Sequence, residues 1–150
     1  MRSKVSKWFE TKVAYDKLQE DGSTAKVKES YVVESLTFGG AEQKITEEMS
    51  VYVCGEFKVT DCIREARYRE VFFSDNAEDD KWYKAKLQFI TLDEKTEKEK
   101  KTAVFYLVQA ADFAAAHRHI REVMDKTMIN YEVDTVAETK FIEVFEREIG

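Results

Sequence analysis

The chain has 150 residues, of which 43% are apolar and 36% charged, with a net charge of −6. Nineteen aromatic residues (10 Phe, 7 Tyr, 2 Trp), no proline and only five glycines exclude a disordered, collagen-like or proline-rich chain and point to regular elements joined by short polar turns. The acidic balance argues against a general duplex-DNA binder, although a local basic groove stays compatible with it.

In chain order, Met1–Lys7 is followed by no apolar run, so no signal peptide is expected, and no stretch has the length of a membrane span. From Trp8 the residues alternate: Phe9, Thr11, Val13 and Tyr15 on one face, Glu10, Lys12 and Ala14 on the other. Period two predicts a strand. Asp16–Ala25, with Asp21-Gly22, reads as a solvated hairpin turn, and Val27–Val33 as the returning strand. Thr37 is placed to cap a helix whose apolar stripe is Phe38, Ala41, Ile45 and Met49. Phe57 and Val59 lead into Ile63–Phe72, read as a strand that is either long and bent or split at a corner near Asp61.

The same order then recurs. Trp82–Phe89 repeats the first strand at a shift of 74, and Tyr106–Met124 repeats Tyr31–Met49 at a shift of 75, with seven of nineteen positions identical. Val136–Phe145 repeats Ile63–Phe72 at a shift of 73. Thr91–Lys101 takes the hairpin's place, Ala103–Val108 the second strand's, and Asp112 the cap's, before a stripe of Phe113, Ala116, Ile120 and Met124. The corner falls near Asp134. The expectation is an α+β fold: a single domain formed by tandem duplication of a β-β-α-β unit, about 4–73 and 81–147, joined by an acidic linker 74–80. A unit of this size buries little surface alone. The two are therefore expected to combine mainly antiparallel sheets about a pseudo-twofold axis, with both helices packed on them. A chain without proline must protect its strand edges by lysine, charge pairs or pairing between repeats, which makes a homodimer a further expectation.

Motifs for chemistry are sparse. Gly39-Gly40 is not followed by the Gly-Lys-Ser/Thr of a phosphate loop. His117 and His119 project about 200° apart on a helix and cannot share a metal ion, so both read as solvated. Cys54 and Cys62 lack Cys-x-x-Cys spacing, have no counterparts in the second repeat, and imply a reducing cytoplasmic setting. Asp75, Glu78, Asp79 and Asp80 lack the ligand order of a calcium loop and read as solvated linker. No cofactor and no metal are expected. Glu65 and Glu138, like Glu70 and Glu143, are repeat-equivalent; they read as outward-facing residues, with a symmetric catalytic pair as the alternative. The constellation singled out is basic and aromatic: Trp8, Lys12, Arg64, Arg67, Arg69, Trp82, Lys84, Lys86 and Lys140. Aromatic rings interleaved with cations on strands stack bases and neutralise phosphates. The alternative is that both tryptophans anchor the core while the cations line the wet face.

Several runs, Trp8–Val13, Tyr31–Phe38, Gly55–Asp61, Trp82–Lys86, Phe89–Thr96 and Leu107–Phe113, resemble a family of domains of unknown function found in Bacteroides-type bacteria and their phages. The resemblance covers nearly the whole chain and carries no catalytic residue over. It implies a cytosolic protein of phage or mobile-element type. The resulting expectation is a non-enzymatic protein binding single-stranded nucleic acid, with a nucleotide-sequestering or oligomeric scaffold role as the alternative, and no membrane partner.

Overall fold

The computed structural model describes residues 1–53, 55–60 and 63–147. Cys54, Asp61 and Cys62 therefore lie outside the described residues, and so do the expectations that rest on them. The chain forms two compact units, neither contiguous in sequence: Met1–Val5 with Tyr68–Thr139, here the first unit, and Ser6–Arg67 with Lys140–Gly150, the second.

The second unit is built on the hairpin of β2 (Trp8–Leu18) and β3 (Thr24–Glu34), paired residue by residue from Trp8↔Glu34 to Leu18↔Thr24. The strands reach further than expected, because antiparallel pairing continues through the polar ends and leaves a turn of only Gln19–Ser23. Gly22 holds that turn at φ +86°, a left-handed conformation cheap only for glycine. The Asp21 carboxylate accepts from both the amide and the hydroxyl of Ser23. Short strands β4 (Phe57–Val59) and β5 (Arg64–Ala66) pair with the other edge of β2. Helix α1 (Phe38–Tyr52) is capped by Thr37, whose hydroxyl accepts from the Gly40 amide at 3.0 Å. It packs Ala41, Ile45 and Met49 onto Phe9, Val13, Tyr31 and Val33. Each of the larger side chains so buried contributes about 1.5–3 kcal/mol.

The first unit follows the same plan with β7 (Lys81–Asp93), β8 (Lys98–Ala110), helix α2 (Phe113–Met124) and β9 (Tyr131–Glu138). Asp112 caps α2, accepting from the Ala115 amide at 2.7 Å. Ala116, Ile120 and Met124 face the sheet, as the stripe predicts. Phe38 and Phe113, assigned to the two stripes, are instead 54% exposed each. Both are the first residue of their helix, at the margin of the packed face: Phe38 meets only the edge of Phe9, with ring centres 6.5 Å apart, and Phe113 packs on His117 of its own helix.

The last block of each half departs most from the sequence reading. The chain does split, but its final piece joins a different sheet. β6 (Tyr68–Phe73) runs parallel to β8, and β10 (Phe141–Phe145) runs parallel to β3. The sheet orders are β1-β6-β8-β7-β9 and β10-β3-β2-β4, where β1 (Arg2–Lys4) is an edge strand not foreseen. Asp134 is no corner: it sits at a register irregularity within β9, and the chain leaves that sheet after Thr139. Corresponding pairings keep corresponding registers. Trp8↔Glu34 matches Trp82↔Gln109, Phe9↔Glu65 matches Tyr83↔Glu138, and Glu143↔Tyr31 matches Glu70↔Tyr106.

Within residues 74–80, Asp75, Asn76, Ala77, Glu78 and Asp80 are exposed, but Asp79 is not solvated. Asp79 is only 7% exposed. It accepts from the Ser74 hydroxyl at 2.5 Å and the Ala111 amide at 2.8 Å, and lies 3.7 Å from His119 Nε2. His119 is likewise no free surface residue, because its Nδ1 meets the Gln109 carbonyl at 2.9 Å. A charged side chain is buried here because the loop presents it with donors.

Candidate binding clefts

The nine singled-out residues divide between the units. Trp8 and Trp82 are 0% and 2% exposed, so neither presents a ring face on which a base can stack. Trp82 meets the edge of Phe73 with ring centres 5.5 Å apart. Their lysine neighbours misdirect a sequence reading, since in a strand the residues flanking a buried ring point the other way.

The first unit's cations are engaged locally. Lys84 lies over the Tyr68 ring at 5.6 Å, and Arg69 over Phe89 at 5.3 Å. Lys86 lies 3.5 Å from Asp134. The Gln88 amide, donating at 2.9 Å, holds the Asp134 carboxyl below its usual range, and Lys86 adds to the effect.

In the second unit Lys12, Arg64, Arg67 and Lys140 are all exposed. Two of them meet. Lys12 and Arg64 line one cleft of about 290 Å³ with Glu10, Ser30, Ile63 and Phe141. The register explains this: Lys12 pairs with Ser30, Glu10 with Arg64, and Phe141 with Ser30, so these side chains share one sheet face. Glu10 accepts from Arg64 at 3.1 Å and 3.4 Å. Among the described lining residues one carboxylate faces two cations, a formal charge of +1. The Arg64 side chain is exposed and that of Glu10 largely buried, so solvent reaches the pair from the arginine side. Charged donors, a hydroxyl and an aromatic ring thus face one space.

The repeat-equivalent carboxylates part ways. Glu65 and Glu138 are exposed beside Phe9 and Tyr83. Glu143 instead joins a second cleft of about 250 Å³, lined also by Tyr15, Glu29, Tyr31, Tyr52 and Phe145. Glu29 Oε1 accepts from the hydroxyls of Tyr15 at 2.5 Å and Tyr31 at 3.3 Å. The bond to Glu29, with some burial, pushes Tyr15 up to about 12. Burial, with the Glu29 charge beside it, raises Tyr31 further. Partial desolvation raises the Glu143 carboxyl. Sequence reasoning missed this cluster, although a signal was there: Glu29 falls in step with Val27, Tyr31 and Val33, a carboxylate on the apolar face of its strand.

Two mixed sheets, each with one helix on it, together with clefts cut between strands, define an α+β protein with small-ligand-sized concavities. The family is shown as well. The chain belongs to DUF4494, a domain of unknown function, which spans residues 7–147. Comparison with curated proteins and with solved structures returned no match. No helix among the described residues is long and apolar enough to cross a membrane.

Proposed function

We propose that this is a non-enzymatic binding protein whose Lys12–Arg64 cleft takes the phosphate of a small nucleotide. The observation that carries the reading is the convergence of Lys12, Arg64, Ser30 and Phe141 on one cleft of about 290 Å³. A guanidinium and an ammonium supply charge-assisted hydrogen bonds to phosphate, and an aromatic ring supplies a surface for a base. A phosphate competes with Glu10 for Arg64, so Glu10→Gln is expected to tighten binding. Single-stranded nucleic acid is the second reading, favoured by the exposure of Arg67 and Lys140 in the same unit. The buried tryptophans take no part in either.

We also infer a tandem duplication of about 74 residues; the matched registers and matched helix caps support it. A cytosolic setting is supported by the cysteine usage and the resemblance, and a phage-type setting by the resemblance.

The test is calorimetric titration at low salt with a nucleoside monophosphate and with a short oligonucleotide. Binding that weakens at least ~10-fold in Lys12→Ala with Arg64→Ala, and tightens in Glu10→Gln, supports the proposal. Tighter binding of the oligonucleotide selects the second reading. No binding of either, or binding indifferent to these variants, refutes both.

A further inference from the structure

The aromatic cleft of the second unit has a counterpart in the first, and the two differ in a telling position. In the first unit Glu70 pairs with Tyr106, and Phe72 packs on the Tyr106 ring at 5.0 Å. In the second, Glu143 pairs with Tyr31, and Phe145 stacks on the Tyr31 ring at 5.6 Å. Both parallel pairings carry a register irregularity just before the glutamate. The residue there is Arg69 in the first unit and Ile142 in the second.

Arg69 sets its guanidinium 5.3 Å from the centre of the Phe89 ring, within cation–π range. Its charge counters the burial that otherwise raises the Tyr106 hydroxyl. Phe89 holds on β7 the place that Tyr15 holds on β2, pairing with Tyr131 as Tyr15 pairs with Phe57. The first unit therefore supplies this position with a cation of its own.

Among the described residues the second unit supplies none. Ile142 stands at the rim, 46% exposed, and the cleft holds two carboxylates where the first unit has one, because Glu29 stands opposite Val13 as Val104 stands opposite Leu87. Glu29 accepts from two tyrosine hydroxyls on a single oxygen, and neither Glu29 nor Glu143 forms an ion pair with a described residue. Two carboxylates among tyrosine and phenylalanine rings, with no basic side chain among the described lining residues, are complementary to a planar organic cation. We infer that this cleft binds a guanidinium group, carried by a free small molecule or presented as the arginine side chain of a peptide. The guanidinium stacks on an aromatic ring and donates to Glu29 and Glu143; in the first unit the Arg69 guanidinium lies over the Phe89 ring in the same way. The inference is independent of the Lys12–Arg64 cleft and uses none of its residues.

The experiment is an NMR titration of the full chain with methylguanidinium and, separately, with N-acetylarginine amide. Saturable shifts at Tyr15, Tyr31 and Ile142 are expected, with a dissociation constant on the order of 1 mM. Equal affinities point to a free small molecule as the source, and tighter binding of the amide points to a peptide. Glu29→Gln with Glu143→Gln is expected to weaken binding at least ~10-fold. Ile142→Arg, at an exposed position, is expected to keep the native spectrum and abolish binding by filling the site from within. Unsaturable shifts, or an Ile142→Arg protein that still binds like the wild type, would overturn the inference.

Discussion

Asp79→Ala probes how a loop that reads as an acidic linker becomes part of a folded unit. Asp79 is 7% exposed and accepts from the Ser74 hydroxyl at 2.5 Å and the Ala111 amide at 2.8 Å. Truncation leaves both donors without that acceptor. A hydrogen bond to a charged group contributes about 1.5–3 kcal/mol, and a buried donor left unsatisfied costs about 1–3 kcal/mol. The Ser74 hydroxyl can rotate toward solvent, whereas the Ala111 amide, fixed at the entry to α2, cannot. The expected loss is therefore about 2–4 kcal/mol, or a fall in Tm of roughly 5–15 °C for a chain of this length. Urea and thermal unfolding of the wild type, Asp79→Ala and Asp79→Asn measure it, with Asn keeping one acceptor and losing less. A loss below about 0.5 kcal/mol in Asp79→Ala would refute the reasoning, because it would mean the loop's hydrogen bonds are replaced by water at no cost.

Three further outcomes are expected. Gly39→Ala adds a Cβ in open space on α1 and should stabilise by about 0.4–1 kcal/mol, whereas at Gly40 the Cβ meets Ser35 Oγ at 2.5 Å, so Gly40→Ala should not; denaturant midpoints compare the two. Tyr15 has a folded pKa of about 12 against 10.0, so it favours the folded state fully below pH 10 and loses that contribution as pH rises toward 12; in denaturant unfolding Tyr15→Phe should be less stable than the wild type at pH 8 and lose less stability between pH 10 and pH 12. Trp82→Ala should cost about 3–5 kcal/mol, read from denaturant unfolding, since it empties a buried position, whereas loss of ligand affinity without loss of stability would mean the ring is a binding surface after all.

Local patterns were legible from the sequence. Ala41, Ile45 and Met49 recur at helical spacing, and Thr37 and Asp112 sit one position before each helix, so the caps and buried faces could be read directly. The hairpins were legible in kind but too short, because nothing in Lys17-Leu18 or Lys98-Glu99 says that pairing continues through polar residues. The destinations of Tyr68–Phe73 and Phe141–Phe145 were not legible. Parallel pairing with a distant strand leaves no local signature, and these segments alternate as any strand does. The same limit governs the sites. Lys12 and Arg64 meet only because separate strands pair in a particular register with β2. A tryptophan flanked by lysines looks alike in sequence whether its ring stacks on a base or fills a core. Glu29 was the one overlooked clue, a charge in step with apolar neighbours.

The most direct test of the proposed binding role is chemical-shift mapping of the wild-type protein with a nucleoside monophosphate at low salt. Shifts that saturate and concentrate at Lys12, Ser30, Ile63, Arg64 and Phe141, and that fade as salt is raised, are the predicted result. Saturable shifts confined to the first unit, or none at any of these residues, would contradict it.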